Sequence, residues 1–318
     1  MLLLKSKMIR SSLFKATVIV VIAMFLCTGV FAQKQEIDAY FSALRNDQSA
    51  TAPSFTSKKE EQYVRALTPY LRDTIPTLRA EAYSLLSNLG RQSKQKGLRR
   101  DIVNLLITGW HDMDWGIHGV VDNALVHFQR QDFDHTALDS IKSRLNILPA
   151  SPGKLFKLIG YLDLRDLAPK IKSYVEEPQS SLNKASRWAG YISLARLGDQ
   201  QAIDFLLNRL RTLGLNDDVV YDLFPDLVYT RTFRAIRYLE EGLLSNEKSC
   251  GPPSAESDEP VICAYRIMEM IAPAIKDYPV AIGPGGNLET NDYAKALETV
   301  RAWFKQKNGN YEIIRDTY

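Results

Sequence analysis

The densest run of residue types able to do chemistry in this chain is Trp110-His111-Asp112-Met113-Asp114-Trp115-Gly116-Ile117-His118. His111, Asp112, Asp114 and His118 are all potential metal ligands. His118 and Asp122 stand at i and i+4, a spacing that lets two side chains share a cation on one helix face. Against that reading, no ligand motif such as H-E-x-x-H is present. The same residues have a structural reading, in which Asp112 or Asp114 caps the following helix while Trp110 and Trp115 pack between helices. A third reading makes the turn a contact edge, because Trp is enriched where interfaces are energetically hot. The expectation is therefore a binding site drawn from Trp110, His111, Asp112, Asp114, Trp115 and His118. No catalytic residue, metal or cofactor is expected.

Other apparent motifs dissolve. Ser-x-x-Lys occurs five times, at Ser12, Ser93, Ser151, Ser181 and Ser245, without the companion motifs of a serine enzyme. Gly283-Pro284-Gly285-Gly286 lacks the Gly-Lys-Ser/Thr of a phosphate loop and reads as a turn. No Gly-x-Ser-x-Gly elbow is present. The basic stretch Arg91, Lys94, Lys96, Arg99 and Arg100 reads as a solvated hairpin connection. Arg79 and Arg187 are expected to pair with neighbouring carboxylates or carbonyls.

The elements that position these residues follow from repetition. Arg79-Tyr83-Leu86-Leu89-Gly90 and Arg187-Tyr191-Leu194-Leu197-Gly198 share one internal spacing and lie 108 residues apart, three periods of 36. A second ladder, Ala137-Leu138-Ile141-Leu145, recurs at Leu167, Ala202 and Ala235, in steps of 30, 35 and 33. Apolar residues at i, i+1, i+4 and i+8 make a one-sided helical stripe. Such units at a fixed period bury their stripes against their neighbours, which predicts an all-α solenoid of stacked helical hairpins. Paired helices are predicted near 60–72 and 77–89, 98–109 and 116–128, 135–146 and 153–163. Further pairs fall near 167–176 and 184–197, 200–212 and 217–229, 233–245 and 261–275. Pro76 and Pro152 mark helix entries, Gly90 and Gly198 lie just past helix ends, and Asp199 caps the next helix. No segment alternates like a strand, and at least about 60% helix is expected in the mature chain.

Arg187-Trp188-Ala189-Gly190-Tyr191-Ile192-Ser193-Leu194-Ala195-Arg196-Leu197-Gly198-Asp199, with Ala202-Ile203 and Leu206-Leu207, resembles a HEAT repeat of the short bacterial, lyase-associated type. Leu78 through Gly90 resembles the same motif. The resemblance covers residues 60–275. It implies an armadillo-like superhelix used for binding and transfers no catalytic residue.

The N-terminal segment and the cysteines point to a compartment. Lys5, Lys7, Arg10 and Lys15 precede an apolar run from Ala16 to Phe31, and Val30-Phe31-Ala32 offers a cleavage point before Gln33. That is a secretory signal pattern over residues 1–32; the rival, an uncleaved anchor, needs a longer run. Bulky Leu26 before Cys27 argues against a lipobox. The whole chain carries 40 basic and 37 acidic residues, net +3. The signal holds four basic and no acidic residues, which leaves the mature chain at 36 against 37, net −1. Near neutrality gives no electrostatic reason to bind nucleic acid. Cys250 and Cys263 flank a polar, turn-rich stretch and are predicted to form a disulfide closing a surface loop. The predicted organisation is a signal peptide at 1–32, an N-terminal helix and linker at 33–57, a HEAT-like solenoid at 58–278, and a loop, capping helix and tail at 279–318. The expected function is an exported, non-enzymatic scaffold or adaptor, periplasmic or extracellular, for another protein of the cell envelope or exterior. It makes no stable membrane insertion after signal cleavage. The alternative is a regulatory or substrate-holding protein of an envelope enzyme, or an enzyme with a site around His111–His118.

Overall fold

A computed structural model describes residues 33–178, 181–252 and 259–318. It is 67% helical, with fourteen α-helices and no strand among the described residues. The predicted signal segment 1–32 and part of the predicted disulfide loop, 253–258, lie outside the described residues. In order the helices are α1 (33–45), α2 (Glu60–Leu67), α3 (Pro76–Gln92), α4 (Lys96–Thr108), α5 (Trp115–Leu125), α6 (His135–Ile147) and α7 (Gly153–Tyr161). There follow α8 (Ala168–Glu176), α9 (Lys184–Leu197), α10 (Gln200–Leu213), α11 (Phe224–Tyr229), α12 (Phe233–Leu244), α13 (Ala264–Ile271) and α14 (Tyr293–Lys307). Among the described residues the pairings between extended residues are isolated bridges, including Cys250–Val261 and Ile275–Ile313.

Local chemistry explains the boundaries. Side chains of Asp114, Asn183, Asp199, Thr232 and Asp292 each accept a first-turn N–H of the helix they precede. These bonds satisfy donors that have no partner inside the helix. Pro76 takes the first position of α3, where its missing N–H costs nothing. Gly198 ends α9 at φ 103°, a left-handed conformation that glycine adopts without strain. Two sequence expectations need correction. Gly90 is not past a helix end; α3 runs on to Gln92 and buries it. A Cβ at Gly90 would lie 2.6 Å from the Phe128 ring, so close packing explains the glycine. The helix expected over 217–229 is interrupted, with a π-turn at Val219–Leu223 feeding the short α11. Pro225 in the first turn of α11 has no N–H to continue an α-helical ladder from the preceding turn.

The described chain divides at Ala137/Leu138, within α6, into two compact units. In the first unit α2, α3, α4 and α5 pack on partners one and two places along the sequence. Helix α1 joins them: Ile37 and Phe41 are fully buried, and the Phe41 ring stacks on Tyr70 at 3.9 Å. Tyr70 Oη donates to Asp38 at 2.8 Å, and Tyr40 Oη donates to Glu81 at 2.8 Å. In the second unit α9 packs on α7, α8, α10 and α11, α12 on α10, α11 and α13, and α14 on α12 and α13. The apolar ladder read from the sequence is the core here: Ile171, Leu206, Leu210, Ile236 and Leu239 are at most 1% exposed. Cys250 and Cys263 are bonded to each other with Cα atoms 5.1 Å apart, both buried.

Candidate functional site

A short turn, Gly109 to Asp114, joins α4 to α5 and holds most of the predicted site residues. Its base is an ion pair. Arg79, in the first turn of α3, donates from Nε and Nη2 to the two carboxylate oxygens of Asp112, each at 2.7 Å. Its Nη1 donates to the Asp73 carbonyl at 2.8 Å. Asp112 also accepts the Asp114 N–H at 2.9 Å. The guanidinium of Arg79, hydrogen-bonded to this carboxyl, holds Asp112 below its ordinary range. Both side chains are largely withdrawn from water, at 13% and 9% exposure.

The other residues divide by direction. Trp110 is buried, and its Nε1 donates to Asp122 at 2.7 Å. His118 Nε2 lies 2.9 Å from the Asp112 carbonyl, which can only accept, so that nitrogen carries the proton. His118 and Asp122 are thus turned to separate partners rather than to one cation. Asp114 caps α5 through the Gly116 N–H at 2.8 Å. Trp115 does not pack between helices as one reading expected. It is 69% exposed, with its ring 5.4 Å from that of His118. Met113 beside it is 92% exposed. No group of three His, Cys, Asp or Glu among the described residues could hold a metal.

A groove of about 470 Å³ opens beside this turn. Leu71, Tyr83 and Leu105 give it apolar wall, Arg72, Asp73, Arg79 and Asp112 give it charge of both signs, and His111 lines it as well. Tyr83 Oη and Thr108 Oγ1 lie 3.1 Å apart within it. Of the six predicted residues, His111 and Asp112 line the groove and Trp115 stands exposed two residues beyond Met113, which also lines it. Trp110, Asp114 and His118 hold the turn in shape.

Two contributors were missed in the sequence. The segment from Thr68 to Asp73 lines the groove, and it carried no signal of its own. The second is a repeated pairing rule. Arg99 belongs to the basic stretch that the sequence predicts to be solvated; instead its side chain is 12% exposed and bonds Asp132 at 2.9 and 3.0 Å. Its Nη1 donates to the Ser93 carbonyl at 3.1 Å. Arg79 and Arg99 both take the fourth helical position, both bind a carbonyl six residues back, and both pair with an Asp 33 residues on. That shared offset was a signal available in the sequence. Arg187, at the same helical position in α9, binds the Val175 carbonyl instead.

No family model matches the chain, and no curated protein or solved structure matches it. Fold and site together define an all-α protein with a braced, aromatic-tipped turn beside a groove of mixed charge.

Proposed function

We propose that this protein is an exported, non-enzymatic adaptor of the cell envelope or exterior, a HEAT-like α-solenoid that binds another protein through the α4–α5 turn. The observation that carries this reading is the pair Met113 and Trp115, large apolar side chains left in water on a turn braced from beneath. The Arg79–Asp112 pair, the His118–Asp112 bond and the Asp114 cap restrict the turn. A rigid, exposed Trp loses little conformational freedom on binding, the property of a hot-spot anchor. The mixed-charge groove alongside supplies a polar rim for the same contact. The solenoid reading is supported by the packing of helices one and two places apart within each unit, as in stacked hairpins. Export is supported by the signal pattern in residues 1–32 and by the disulfide, which persists in oxidising compartments. No helix among the described residues is long and apolar enough to cross a membrane.

The test is capture from envelope extracts by wild-type protein and by a Met113→Ala/Trp115→Ala variant. A partner held by the wild type and lost by the variant, at unchanged helicity, supports the reading. Equal capture by both would overturn the assignment of this turn.

A further inference from the structure

The C-terminal segment after α14 leaves the helix through Asn308 and Gly309, both at positive φ, and runs extended across the second unit. Lys276 N–H donates to the Glu312 carbonyl at 3.0 Å and Ile314 N–H to the Ala274 carbonyl at 2.9 Å, antiparallel main-chain pairing. Beyond that, two guanidiniums read the segment. Arg196, fully buried, donates to the carbonyls of Arg315 at 2.9 Å and Thr317 at 2.7 Å, and to that of Tyr229 at 2.7 Å. Arg231, 5% exposed, donates to Thr317 Oγ1 at 3.1 Å, to the Tyr318 main-chain oxygen at 3.3 Å and to the Val228 carbonyl at 3.2 Å. Arg315 returns the interaction, donating to the carbonyls of Arg196 at 2.7 Å and Arg231 at 3.0 Å. The Tyr318 ring lies 5.5 Å from Tyr161 and 5.1 Å from Tyr229.

This is costly construction for a segment that merely packs. Burying a guanidinium costs several kcal/mol unless its donors are met. Arg231 Nε has no hydrogen-bond partner, and burial, with Arg196 nearby, lowers the Arg231 pKa to about 10. Arg231 also sits at φ 51°, which suits Gly or Asn better than Arg. An apolar residue would avoid the desolvation; a guanidinium is needed only to read carbonyl and hydroxyl oxygens. Main-chain pairing, oxygen-reading donors and an aromatic pocket together are how extended peptides are recognised.

We propose that Tyr311–Tyr318 occupies, in cis, a peptide-binding cleft formed by the end of α7, α9, α11 with the turn through Arg231, and residues 274–276. An extended partner segment with the same Arg-x-Thr-Tyr chemistry takes the cleft in exchange. The site is distinct from the α4–α5 turn and stands or falls separately.

The test uses the full mature chain with a protease site placed in the Asn308–Asn310 link, cut after folding. The freed strap should stay bound, and a labelled peptide of sequence 311–318 should replace it saturably with unchanged helicity. Peptides with Thr317→Ala and Tyr318→Ala should compete at least ten-fold less well, whereas Glu312→Gln, which removes only a solvent-exposed pair with Lys276, should compete within about five-fold of the native sequence. As a second readout, Arg231→Met in the cut protein should release the labelled peptide at least ten-fold faster. Loss of helicity on cutting, a strap that never exchanges, or a peptide that does not rebind would each overturn the proposal and leave the segment as core.

Discussion

Replacing Asp112 by Asn tests the brace beneath the exposed turn. Two charge-assisted bonds join Asp112 to Arg79, and both side chains are at most 13% exposed. Breaking a buried pair by removing one partner costs about 3–5 kcal/mol. Here the loss is smaller, because Arg79 keeps the Asp73 carbonyl and Asn keeps one acceptor oxygen. The expected destabilisation at pH 7 is about 2 kcal/mol for Asp112→Asn, and about 3 kcal/mol for Asp112→Ala, which also leaves the Asp114 N–H without its acceptor. Urea denaturation followed by far-ultraviolet circular dichroism and tryptophan fluorescence measures it. The pH dependence has a definite sign. Arg79 depresses the folded-state pKa of Asp112, so the pair's contribution is full above the unfolded value of about 3.9 and is lost as pH falls through the folded value. The gap between wild type and Asp112→Asn should therefore close on acidification below about pH 4. A double-mutant cycle with Arg79→Met should give a coupling of at least about 1 kcal/mol. A variant within about 0.5 kcal/mol of wild type at pH 7, or a gap that persists unchanged at low pH, would refute the brace.

Trp115→Ala should weaken partner binding by more than about 1 kcal/mol while leaving the thermal midpoint within about 2 °C, since its side chain is mostly in water; titration calorimetry and melting curves check both. Gly90→Ala should lower stability by about 1–3 kcal/mol, overpacking against Phe128 outweighing the better helix propensity of alanine, and a stabilised variant would contradict the packing. Thiol labelling of denatured, unreduced protein should find Cys250 and Cys263 blocked. Their replacement by Ser should cost at most about 3 kcal/mol, with faster hydrogen exchange confined to the residues flanking the loop. N-terminal sequencing of exported protein should begin at Gln33.

The helices were legible because their causes are local. Apolar spacing, a capping Asp or Asn and a first-turn Pro act within four residues, so α9 was bounded at Lys184 and Leu197 from sequence alone. The disulfide was legible for a similar reason: two cysteines flank one turn-rich stretch, and each is the other's single candidate partner beyond residue 32. Directions and long-range partners were not. Trp110 and Trp115 bracket one turn and are the same residue type, yet one is buried against Asp122 and the other stands in water. That choice depends on which faces of α3 and α5 meet, a property of packing rather than of neighbours in sequence. Arg99 looked like a solvated charge until the close of α4 on the turn before α6 brought Asp132 to it across 33 residues. Gly90 read as a stop signal because glycine often ends helices, and only the approach of Phe128 shows that it is space that is needed there. Secondary structure is thus written in interactions a few residues long, whereas the site is made where successive helices, some thirty residues apart at Arg79 and Asp112, come into contact.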